Sequence, residues 1–282
     1  MKRKNSSGFK IVFLLLFLVI GAGALLANGI FPNAIKSYPQ NQDVQNIPVN
    51  PTPNPSSKGL QLIPIQFIQK QCGQTLAVDF LVDNSGSMNF GNKLTQLKQG
   101  LIQFAQGFND TSAVGVQKFS AAPSDVIPFS YYKDVKSQFS RYIDSMSASG
   151  PTYTKDAFVF TKQKMDAGIN KFPNYKFALI FVSDGVPETI QSDQACVPAY
   201  CRSGTCECFA PEQDPTSIAN QIKQEGIRIF TIAYVDKADA NLAAKLQTLM
   251  QNVASSPDDF YTAPDSNQIT TILSQISQKL CQ

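Results

Sequence analysis

Leu76-Ala77-Val78-Asp79-Phe80-Leu81-Val82-Asp83-Asn84-Ser85-Gly86-Ser87-Met88 joins an apolar run to a cluster of side-chain oxygens. Residues 76–82 are nearly continuous in apolar side chains, as expected of a strand covered on both faces. The chain leaves that strand at Asp83 and sets a carboxylate and two hydroxyls at alternate positions, with Gly86 loosening the turn. Oxygens spaced in this way can point at one spot, an environment that suits small hard cations. A lone D-x-S-x-S run is a weak signal, because Ser, Asp and Gly are also common turn and helix-cap residues. Its weight here comes from its place at the carboxyl end of a buried strand.

Outward from this stretch, strands and helices alternate. Residues 93–108 set Leu94, Leu97, Leu101, Ile102, Phe104, Ala105 and Phe108 on one helical face. Residues 113–119 and 125–129 read as strands, and Pro128 places the second at a sheet edge. Helices are predicted at 135–146 and 154–169, a second buried strand at 177–183, a helix at 215–225 and a third buried strand at 227–235. A helix at 238–253, a short strand at 259–262 and a closing helix at 265–280, capped by Asp265 or Ser266, complete the pattern. Such alternation predicts an α/β fold with a doubly wound, mostly parallel sheet flanked by helices, which binds ligands at the carboxyl ends of its strands.

Two further stretches fall at that same edge. Ser149-Gly150-Pro151-Thr152-Tyr153-Thr154 enters a helix and offers the Thr152 hydroxyl; Val182-Ser183-Asp184-Gly185 ends the second buried strand and offers the Asp184 carboxylate. In this order and spacing, D-N-S-G-S-M, G-P-T-Y-T and V-S-D-G resemble the metal-ion-dependent adhesion site of von Willebrand factor A (VWA) domains and integrin inserted domains. The resemblance runs from about Gln74 to the C-terminus and implies a VWA, Rossmann-like fold. Carried over residue by residue, Asp83, Ser85, Ser87, Thr152 and Asp184 match the five metal-ligand positions, with Mg²⁺ (or Mn²⁺ or Ca²⁺) as the ion. In the family the serines and the threonine ligate directly or exchange with water. The aspartates often act through water, which leaves the metal electrophilic toward an acidic group on a partner. Pro151 departs from the glycine usual before the threonine and should stiffen that loop without removing a ligand. Asp79 lies on the strand face of Asp83 but deeper, and reads as a hydrogen-bonded buried carboxylate rather than a ligand. Glu188 is a weaker candidate for a supporting or partner-contacting group.

Composition excludes much else. Hydrophobic residues make up 43% and charged residues 16%, the balance of an ordinary packed core. The net charge is +3, and Lys and Arg are scattered, which argues against nucleic acid. The chain has no histidine, so imidazole bases and Ser-His or Cys-His pairs are absent. A hydrolytic two-metal site would also need more carboxylates near Asp184 than the sequence offers. The expectation is therefore a binding module without enzymatic activity or a small-molecule substrate.

The even cysteine count, with Cys196, Cys201, Cys206 and Cys208 close together, suggests disulfides in an oxidising compartment. Extracellular members of the family close their domain with a terminal bridge, which implies a Cys72–Cys281 pair worth on the order of 5 kcal/mol in the loop-entropy model. Within the 185–214 insertion a Cys206–Cys208 bridge would be strained. That leaves Cys196–Cys206 with Cys201–Cys208, or Cys196–Cys208 with Cys201–Cys206; a four-thiolate zinc site is the remaining alternative. The insertion begins beside Asp184 and is expected to rim the metal face and set partner specificity, unless it is a rigid decoration.

At the N-terminus Lys2, Arg3, Lys4 and Lys10 precede the uncharged run 11–31, whose apolar part 11–27 is just long enough to span a bilayer. The basic flank predicts a signal anchor over residues 1–31 with everything downstream outside the cell. A cleaved signal peptide is the alternative, given Ala22-Gly23-Ala24 and Leu25-Leu26-Ala27. Residues 32–58 are rich in Pro, Asn and Gln and read as a disordered stalk reaching up to roughly 80 Å before the domain at 59–282. Together these features predict a cell-membrane protein, single-pass, or a secreted one if the leader is cleaved. Its function would be extracellular metal-dependent adhesion, a divalent cation bridging the domain to a protein ligand that presents a carboxylate. A structural component of a surface appendage or secretion assembly is the alternative.

Overall fold

The computed structural model describes residues 75–188, 201–202, 205–206, 211–235 and 240–280. Every residue of Leu76–Asp83 (β1) is buried, and so is all of Lys176–Ser183 (β4) but Lys176 and all of Arg228–Tyr234 (β7) but Arg228. These three strands form the middle of a six-stranded sheet with Ala113–Phe119 (β2), Ser124–Tyr131 (β3) and Phe260–Ala263 (β8), in the order β3-β2-β1-β4-β7-β8. All pairings are parallel except β2 with β3. Pro128 stands exposed on β3, an edge strand where its missing N–H costs no ladder bond.

Strand alternation divides the core in two. Val78, Phe80 and Val82 pack with Lys93–Ala105 (α1) and the C-terminal Ile269–Leu280 (α7) on one face. Ala77, Leu81, Leu179 and Phe181 pack with Thr154–Lys171 (α4), Thr216–Gln224 (α5) and Ala240–Val253 (α6) on the other. The helix predicted at 135–146 is instead two short ones, Tyr132–Val135 (α2) and Phe139–Asp144 (α3). Gln138 breaks the helical path (φ −115°, ψ 0°), so that Tyr132 and Phe139 both reach the apolar cluster with rings 6.0 Å apart.

The chain crosses from β1 to β2 on one side and from β4 to β7 on the other. The carboxyl ends of β1 and β4 therefore flank the point where strand order reverses, the place where open α/β sheets bind ligands.

The single-pass membrane placement expected from the leader is corrected. Among the described residues no helix is long and apolar enough to cross a membrane. The longest of them, α4, carries Lys155, Asp156, Lys162, Lys164 and Asp166. The run 11–31 and the stalk 32–58 lie outside the described residues. In the insertion, Cys201–Arg202 (β5) and Thr205–Cys206 (β6) form an antiparallel hairpin whose backbone register sets Cys201 opposite Cys206. Cys72, Cys196, Cys208 and Cys281 lie outside the described residues, and with them the Cys72–Cys281 pairing.

Asp79 is the buried carboxylate expected. Its Oδ2 accepts from Gln117 Nε2 at 2.7 Å, and Gln117 Oε1 accepts from Thr161 Oγ1 at 2.6 Å. Its Oδ1 has no hydrogen-bond partner and lies so near β2 that a Cβ at Gly115 would come within 2.6 Å of it. Burial, and then the charge of Asp125, hold its pKa well above the ordinary 3.8. A carboxyl with a raised folded pKa contributes its stability below the unfolded value and loses it as pH rises through the folded one. Asp79→Asn should therefore flatten the fall in stability as pH rises above about 4, and gain on wild type as pH rises, read by urea denaturation at a series of pH values.

Candidate metal centre

Asp83 ends β1 and turns its carboxylate back on the chain. Its Oδ1 accepts the Ser85 N–H at 2.8 Å, closing an Asx turn, and its Oδ2 accepts from Ser183 Oγ, the last residue of β4, at 2.5 Å. From Ser85 a hydroxyl chain leads across the site: Ser85 Oγ lies 3.0 Å from Ser87 Oγ, and Ser87 Oγ donates to Asp184 Oδ1 at 2.7 Å. Four of the five sequence-predicted ligands thus form one connected set. The fifth, Thr152, is buried on the neighbouring loop, and a Cβ at Gly185 would stand 3.2 Å from its Oγ1.

The three loops brace one another. The Gly86 N–H donates to the Gly150 carbonyl at 2.9 Å, and the Ser149 N–H donates to the Asn84 carbonyl at 2.7 Å. Gly150 has φ +84°, a left-handed conformation that glycine adopts without penalty, and Pro151 continues from it. Glu188 closes the third side. Its carboxylate accepts the Thr152 N–H at 2.9 Å while its own N–H donates to the Thr152 carbonyl at 3.0 Å. Glu188 is thus a supporting group, acting on the backbone of the threonine loop.

Electrostatics show what the centre lacks. Burial first, and the facing Asp184 second, push Asp83 up to about 7, against hydrogen bonds from Ser183 and Ser85 that pull it down. Lys93, the first residue of α1, answers part of that demand with an ion pair from Nζ to Asp184 Oδ2 at 2.7 Å, where the Asp184 side chain is fully buried. Among the described residues no three His, Cys, Asp or Glu side chains cluster as a metal site. A cation here would meet hydroxyls and two carboxylates, an all-oxygen set that fits Mg²⁺, Mn²⁺ or Ca²⁺ better than softer metals.

Sequence reading had no role for Ser183, Lys93 or Phe90. Ser183 sits inside the V-S-D-G motif, but its bond to Asp83 depends on the β1–β4 register. Lys93 lies 91 positions from its partner. Phe90 is 66% exposed, the most exposed large hydrophobic side chain among the described residues, and follows Ser87 in the same turn. That turn is tied down by Asn89 Nδ2 to the Ala148 carbonyl at 2.9 Å and ends in two left-handed residues, Gly91 and Asn92.

The family model for the von Willebrand factor type A domain matches residues 78–275. No curated protein matches this chain. Among solved structures, proximal thread matrix protein 1 of the mussel byssus superposes with a TM-score of 0.56 at 16% identity, over 74% of this chain and 48% of its own. The same byssal protein has been solved with zinc occupying its MIDAS motif. The pilus adhesin SpaC of Lactobacillus rhamnosus GG gives 0.58 at 17% identity, over 74% of this chain and 30% of its own. The vWF domain of a type V pili tip protein from Porphyromonas gingivalis gives 0.59 at 14% identity, over 73% and 95%. This chain therefore spans about half of the byssal protein and under a third of the pilus adhesin. With the family model covering most of its length, the chain belongs to the von Willebrand factor type A domain family.

Proposed function

We propose that this chain is a metal-dependent adhesive module that binds protein. In this reading Asp83, Ser85, Ser87, Thr152 and Asp184 hold one divalent cation, Mg²⁺ in the first place, and the cation's remaining coordination position takes a carboxylate of the partner. The observation that carries it is the cross-bracing of three loops around a connected set of buried oxygens whose two carboxylates are short of positive charge. The bound ion would supply a positive centre; the chain's own work is to fix the donors before it arrives and to shield them from bulk water. We read the module as binding rather than catalytic, because the chain has no histidine to serve as a base.

Phe90 supplies the second half of the contact. An exposed aromatic ring on a braced turn three residues beyond Ser87 is the kind of anchor that dominates interfaces. The 185–214 insertion leaves the centre directly from Asp184 and is the other element able to set partner choice. A second reading, a structural subunit of a surface appendage, is favoured by the pilus proteins among the structural neighbours. The two differ in whether the ligand is a foreign protein or a copy of the same assembly.

Calorimetric titration of Mg²⁺, Mn²⁺ and Ca²⁺ into the full chain tests the reading. Wild type should bind, and Asp83→Ala should lose binding while keeping its far-UV circular dichroism; binding retained in that variant sinks the proposal. Glu188→Ala, which frees the Thr152 backbone, should weaken Mg²⁺ by about tenfold in the same assay. Phe90→Ala should leave Mg²⁺ affinity unchanged yet lower Mg²⁺-dependent retention on an acidic-peptide library by roughly fivefold.

A further inference from the structure

Lys93 is placed against its local interest. It opens α1, where the positive end of the helix dipole disfavours a cation, and no acidic residue shares that first turn. Asn92 before it has φ +60° and gives no side-chain cap, and Gly91 before that has φ +62°. The left-handed pair turns the chain so that helix entry faces the metal centre. Lys93 is then pinned from both sides: its carbonyl accepts from the buried Tyr234 hydroxyl at 3.3 Å, and its ammonium reaches Asp184 Oδ2 at 2.7 Å with only 15% of its side chain exposed. Ser87 already holds the other Asp184 oxygen.

Resting on the function proposed above, we infer that Lys93 is a tethered cation that shares Asp184 with the bound metal. Before metal arrives it compensates the buried carboxylates and keeps the loops folded. Once metal is bound it adds a like charge beside the ion. With Asp83, Asp184, Lys93 and a dication, the cluster carries a net charge of about +1, whereas without Lys93 it would be neutral. The residue thus weakens metal binding and leaves the loaded centre more attractive to a carboxylate. A plain structural ion pair would do only the first of these three things.

Lys93→Met and Lys93→Gln separate the cases; glutamine keeps a donor toward Asp184 without the charge. Full-length proteins are titrated with Mg²⁺ by calorimetry, and thermal midpoints are read in chelator and in saturating Mg²⁺. Both variants should melt lower than wild type in chelator, bind Mg²⁺ tighter by on the order of tenfold, and gain more from Mg²⁺ than wild type does. Unchanged or weaker Mg²⁺ affinity overturns the inference, as does failure to fold in saturating Mg²⁺, where the ion should replace the missing charge. If wild type itself binds no divalent cation, the proposed function fails first; if wild type binds and the variants do not tighten, only the role of Lys93 fails.

Discussion

Two carboxylates buried at the ends of adjacent parallel strands are the constraint around which this domain is arranged. Asp83 and Asp184 come together because β1 and β4 pair in register, and neither would be tolerated there without compensation. The compensation is local and partial: a backbone N–H and a serine hydroxyl for Asp83, and a serine hydroxyl and a lysine ammonium for Asp184. Breaking a buried pair by removing one partner is usually far more damaging than never having had it. The loops around these groups consequently behave as one braced body rather than as three independent turns.

The sheet supplies the rigidity that this arrangement needs. Each carboxylate sits at the end of a strand whose remaining residues are locked between two apolar layers. A third buried carboxylate, Asp79, lies deeper on β1 and is handled differently. It is hydrogen-bonded to an amide and packed against a glycine rather than ion-paired, and its partner chain ends in a threonine hydroxyl. One strand thus holds a carboxyl that favours its neutral form within the core and another at its mouth that is poised near neutrality.

Much of this was legible in the sequence, and the exceptions have physical reasons. The apolar runs at β1, β4 and β7 announced a sheet covered on both faces, Pro128 announced an edge, and five candidate ligands could be named from three motifs. Periodicity misread 135–146 as one helix, because two aromatic anchors, Tyr132 and Phe139, matter more there than helical continuity. Lys93 was invisible because its meaning depends on Asp184, far away in the chain, and on two left-handed residues whose conformation no local pattern requires at asparagine. Glu188 was named for its nearness to Asp184 but acts on Thr152, a relation set by the packing of loops. The membrane placement expected from residues 1–31 was overturned, since no helix among the described residues is long and apolar enough to cross a membrane.

The reciprocal pair of hydrogen bonds between Glu188 and Thr152 has a mechanical meaning. Glu188 lies at the start of the 185–214 insertion, so these two bonds tie the root of that loop to the threonine loop. They run in opposite directions between the same two residues and engage the peptide units on both sides of Thr152. The root of the insertion and the threonine loop are therefore coupled, and a displacement of Glu188 would be felt at the Thr152 backbone.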